Sequence, residues 1–189
     1  MTNLNELRED LDFVAGAVRR GQNRAVPGIL ALWAVLIPVG YSLADFAPQY
    51  DGLYWLVAGI GGGIASAFIG RASAQRAGVR DSEHVKRIAL HWLTMFAAFL
   101  LFGFTVGTGH MDGASTAPIW LLIAAIAYTM AGIHLDRDRA MLPSGLIMFA
   151  GYAVLVWVPL PYPWTITGLV VSASLAVAAV RTARSNAAA

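Results

Sequence analysis

The chain contains no cysteine. A disulfide framework, a thiolate metal site and a thiol nucleophile are therefore excluded. Charge is scarce as well: 13% of the 189 residues are Asp, Glu, Lys or Arg, against about 25% in an ordinary soluble domain. A soluble surface cannot be built from so little charge. The formal net charge of +2 is too small for the basic footprint of a nucleic-acid binder. No H-E-x-x-H pair, no phosphate-binding P-loop and no Ser/His/acid set at one depth is present, so the familiar hydrolytic and nucleotide chemistries have no residues to act through.

What is abundant is apolar sequence, 58% of the chain. It comes in continuous blocks at about 26–45, 53–70, 88–107, 117–135, 141–159 and 163–181. At about 1.5 Å per residue each block is roughly one bilayer core long. The runs do not alternate, which favours helices over barrel strands. The expected fold is an all-α integral membrane protein. It is a bundle of six transmembrane helices over residues 25–184, preceded by a cytosolic amphipathic helix and linker (1–24) and followed by a disordered tail (185–189).

Charge placement predicts the orientation. On the six-span reading every one of the thirteen Lys and Arg falls on one side. Arg8, Arg19, Arg20 and Arg24 precede the first span. Arg71, Arg76, Arg80, Lys86 and Arg87 lie between the second and third. Arg137 and Arg139 follow the fourth, and Arg181 and Arg184 the sixth. The opposite loops hold Asp45, Asp51, His110 and Asp112. The positive-inside rule then puts both termini in the cytosol, with the chain in the cytoplasmic (inner) membrane. Trp55, Trp120, Trp157 and Trp164 fall near the outer boundary and Trp92 near the inner one, as interfacial anchors do. The N-terminus is acidic and polar rather than basic, so the first span reads as an uncleaved signal anchor.

Residues 3–20, NLNELREDLDFVAGAVRR, form a unit of their own. Leu4, Leu7, Leu11, Val14 and Val18 share one helical stripe. Asn3 with Glu6 matches a capping box, and Gly21 can stop the helix. The acidic front half argues against a membrane-surface helix, which would carry Lys and Arg on its polar face. The stripe is expected to dock on protein: a partner, a second copy or the chain's own bundle. The basic segment 71–87 could meet anionic lipid or this acidic helix, although an ordinary retention loop accounts for it better. Asp136 and Asp138, interleaved with Arg137 and Arg139, read as a self-paired solvated loop rather than a cation site.

Within the spans, Gly59, Gly62, Gly63, Ser66 and Gly70 build small-xxx-small steps that let another helix approach closely. They could also leave room for a neutral solute. Pro38 is expected to kink the first span. His91 opens the third span and His134 closes the fourth, with Met95 and Met130 one turn deeper on the same faces. If those faces meet, His91, Met95, Met130 and His134 form a soft-ligand set suited to copper(I), and two histidines suit haem. Interfacial histidines satisfied by backbone, with methionine as filler, explain the same residues, and no cofactor is expected on that reading.

Three functions remain open. The first is a non-enzymatic assembly or regulatory module acting through its N-terminal helix, with membrane lipid and a protein partner or a second copy around it. The second is a small carrier or channel for a neutral solute or a soft metal ion. The third is a membrane-interface enzyme using the histidines with Asp136 and Asp138.

Overall fold

A computed structural model of the chain describes residues 8, 11, 13, 26–77, 82–111, 116–135 and 140–187. Among the described residues the architecture is all-helical. The elements are α1 (Pro27–Phe46), α2 (Pro48–Tyr54), a π-helical turn (Trp55–Gly59), α3 (Ile60–Ala77), α4 (Ser82–Gly107), α5 (Ala117–His134), α6 (Met141–Trp157) and α7 (Pro163–Ala187). By length and composition five stretches can cross a membrane: Pro27–Phe46, Pro48–Arg76, Val85–Gly107, Ala117–His134 and Pro163–Ser185. The sixth apolar helix, α6, has 17 residues, about 26 Å.

Prolines set the boundaries. Pro27 and Pro48 occupy first-turn positions of α1 and α2, where the missing N–H has no intrahelical acceptor to lose. Ala47 alone breaks the helix between them, at φ −152 and ψ 59. The expected loop at 46–52 is therefore helical. α2, the π-turn and α3 make one rod. Ahead of Pro163, Tyr162 takes a positive φ of 56, reversing the chain in the tight P-L-P-Y-P segment between α6 and α7. α7 runs past residue 184 to Ala187, into the segment expected as a tail.

Four helices make the core. α1 packs along α7, α5 along α6, and α7 also meets α6 and α5. Leu30, Leu121, Met148, Val171 and Leu175 lie between them. α3 leans on α1, and α4 has its substantial packing with α5. Of the apolar windows, 39% is buried in α5 and in α7, but only 6% in the α2–α3 rod and none in α4. The helices thus divide into a packed core and two outlying spans whose apolar faces suit a lipid surrounding.

Candidate functional site

The α1–α7 crossing is built around Pro38. A proline lacks the N–H that would bond the carbonyl four residues back, so Ala34 O is released. Ser172 Oγ on α7 donates to that carbonyl. In hydrocarbon such a repair is needed, because no water can reach the carbonyl. Gly168 sits against Pro38 and Tyr41, where a Cβ would collide. The expected kink residue is thus also the contact point for α7. At one end of the same pair, Asp45 Oδ2 accepts from Thr165 N and Thr165 Oγ1, both at 2.7 Å. This carboxylate caps the first turn of α7 from another helix, satisfying an N–H that the helix itself leaves open.

The small-residue face of α3 divides in two. A Cβ on Gly62 would meet Leu36 and Trp33. Ser66 Oγ accepts from Trp33 Nε1 at 3.0 Å, and Gly70 lies beside Ile29. These three, at four-residue spacing, face α1. Gly59 and Gly63 have nothing within 4 Å. The close approaches missed in the sequence lie at isolated glycines. Gly132 meets the backbone of Leu142, Gly145 meets Thr129 and Ala125, and Gly40 meets Trp55 and Tyr54. The available signal is that Gly132 and Gly145 belong to α5 and α6, apolar helices consecutive in the chain.

The α4–α5 contact is an aromatic seam. Trp92 meets Tyr128 at 5.3 Å, Phe99 stacks on Trp120 at 5.3 Å, and Phe102 meets Trp120 at 5.1 Å. His91 Nε2 lies 3.1 Å from Ala127 O, where it serves as the donor to a backbone carbonyl. This antiparallel register places Met95 level with the Ala124–Ala125 region. From there His134 is about 14 Å away along the axis. Met130 and His134 are exposed, whereas His91 and Met95 are half-buried. His91 and His134 share one end of the pair, close enough to interact electrostatically. Among the described residues no group of three or more His, Asp or Glu comes together. Asp136 and Asp138 lie outside the described residues.

A hydroxyl seam that no sequence motif marks runs down the buried face of α7. Thr167, Ser174 and Thr182 are 0%, 1% and 1% exposed. Ser144 Oγ donates to Ser174 O at 2.9 Å, and Ser174 Oγ returns to Val170 O and Val171 O. The Thr167 and Thr182 hydroxyls are buried without a partner.

Of the N-terminal stripe, Leu4, Leu7, Val14 and Val18 lie outside the described residues. Leu11 is helical and 59% exposed, and its neighbour Phe13 is 71% exposed. Comparison with protein-family models, with curated proteins and with solved structures finds no match to this chain.

Proposed function

We propose that this polytopic membrane protein is a non-catalytic assembly or regulatory module of the inner membrane, with its N-terminal helix as the docking element and both termini in the cytosol. The observation that carries the reading is the apolar surface left at Leu11 and Phe13 on an otherwise acidic segment, a combination that suits protein better than an anionic membrane surface. The use of polar groups in the bundle adds to it. Asp45, Ser66, Ser144, Ser172 and His91 all contact neighbouring helices, and holding helices together is what such groups do in hydrocarbon. The test is a photo-crosslinking residue at Phe13 in cells. The reading expects a discrete protein adduct or a dimer of the chain, lost when Leu11→Asp places a charge on the apolar stripe. Adducts to lipid alone would sink it.

A second reading, a carrier for a small neutral solute, draws on the hydroxyl line of α7, because unpartnered hydroxyls buried at Thr167 and Thr182 suit a hydroxylated molecule. Swelling of proteoliposomes in glycerol, compared with protein-free vesicles, separates it from the first.

A further inference from the structure

α3 and α4 follow one another in the chain, joined by residues 78–81. Both are long and apolar enough to cross a membrane, so the short connection makes them run in opposite directions. Consecutive antiparallel helices usually pack as a hairpin. These are held apart by other partners. α3 turns Gly62, Ser66 and Gly70 to α1. α4 turns Trp92, Phe99 and Phe102 to α5. Among the described residues α3 and α4 share no substantial contact with each other.

The faces left over are alike. On α3, Ile64, Phe68 and Arg71 follow at four- and three-residue steps and so share one side, and all three are exposed. On α4, Arg87, Leu90 and Thr94 do the same at three- and four-residue steps and are exposed as well. The Thr94 hydroxyl is given to Leu90 O at 2.8 Å. Lys86, beside Arg87, is held by Glu83 at 2.8 Å. Arg71 stands six residues before the last residue of α3, and Arg87 five after the first of α4. At about 1.5 Å per residue that is about 9 and about 8 Å from the connection. The two arginines therefore lie at nearly one level, with an exposed apolar side chain one turn deeper on each helix. Read as a loop, 71–87 carries no such match of level; the helices supply it.

We propose that these two faces bound a cleft in the cytosolic leaflet that holds an anionic phospholipid, its phosphate at Arg71 and Arg87 and its chains along Ile64, Phe68 and Leu90. Apolar faces that neighbouring spans do not give each other are covered in a bilayer by acyl chains. A guanidinium on each wall selects among lipids by charge, since it donates paired N–H bonds to phosphate oxygens. Basic recesses between spans on the cytosolic side are where anionic headgroups bind. A zwitterionic headgroup brings its own ammonium to the same two cations and is disfavoured there. Diffuse attraction to the basic side of the molecule is a separate effect, and Arg181 and Arg184, exposed near the end of α7, provide the control for it.

The full chain, purified in mild detergent and delipidated, is titrated with phosphatidylglycerol or with phosphatidylcholine of the same chains, and retained lipids are counted by native mass spectrometry. One phosphatidylglycerol is expected to be retained saturably and in preference to phosphatidylcholine. Arg71→Gln with Arg87→Gln is expected to weaken that retention by about tenfold or more, with helicity and monodispersity kept. Arg181→Gln with Arg184→Gln removes the same charge and is expected to leave it unchanged. Equal retention of the two lipids, or unchanged retention in the folded Arg71/Arg87 variant, overturns the proposal. So does an equal loss in the two paired variants, which would reduce the effect to charge spread over the basic side. Phosphatidylglycerol retained only after Glu6, Glu9, Asp10 and Asp12 are changed to their amides would assign the arginines to the N-terminal segment, and overturns it too. None of these readouts depends on a crosslink at Phe13, so this proposal and the docking reading can fail separately.

Discussion

Gly145 and Gly63 are both helical glycines, yet their surroundings are opposite. A Cβ at Gly145 would strike Thr129 and the α5 backbone, while one at Gly63 would meet nothing within 4 Å. Gly145→Ala is expected to destabilise the bundle by about 1–3 kcal/mol, the usual range for overpacking. Gly63→Ala should leave stability unchanged or slightly raised. Thermal unfolding of the two variants in one detergent checks both, and equal midpoints would contradict the packing described. At Asp45 the expectation concerns a cap: Asp45→Ala removes the acceptor of Thr165 N and should cost about 0.5–2 kcal/mol. Hydrogen exchange localises the loss, which belongs in the first turn of α7. These residue-scale features are only partly legible in the sequence. Gly62, Ser66 and Gly70 can be read from spacing. Gly145 cannot, because what makes it tight is the neighbouring helix, and Asp45 reads as a loop acid because nothing in the sequence links it to a residue 120 positions away.

At the scale of elements, Pro38 and Ser172 belong to one device. Ser172→Ala alone leaves Ala34 O without a donor and is expected to cost about 1–3 kcal/mol. In a Pro38→Ala background the helix supplies its own N–H to that carbonyl, so the same change should cost much less. A double-mutant cycle measures this coupling, and strict additivity would show that Ser172 repairs nothing. The α4–α5 seam makes a separate prediction: Trp120→Ala removes the ring that stacks on Phe99 and meets Phe102 and is expected to cost about 1–3 kcal/mol for the two aromatic pairs, read as a lower unfolding midpoint in one detergent. The apolar runs reveal the long helices because their composition is a property of the run alone. The 46–52 segment is harder to read because proline marks the start of a helix as readily as a loop. The histidine–methionine pattern is visible as spacing, but spacing on two helices does not fix their relative height or rotation. Only the aromatic contacts between α4 and α5 do that.

For the whole molecule, the segregation of basic residues predicts orientation. Reporter fusions at residue 189 and within 71–87 should be active on the cytosolic side, and fusions near residue 112 on the other side. A reversed result would invert every statement about which end faces out.

The partnership between α1 and α7 has a consequence for how the protein is made. α1 packs chiefly on α7, so it waits through the synthesis of every intervening helix before its main neighbour exists. Pairing two segments so far apart in a chain is slow to arrange, and until it happens the released carbonyl of Ala34 has no Ser172 to meet. During biogenesis, therefore, a ribosome stalled before residue 163 leaves behind a fragment whose first helix has α3 beside it but lacks its main partner. Membrane quality control would see that fragment as incomplete, and the bundle closes on itself only once α7 has left the ribosome.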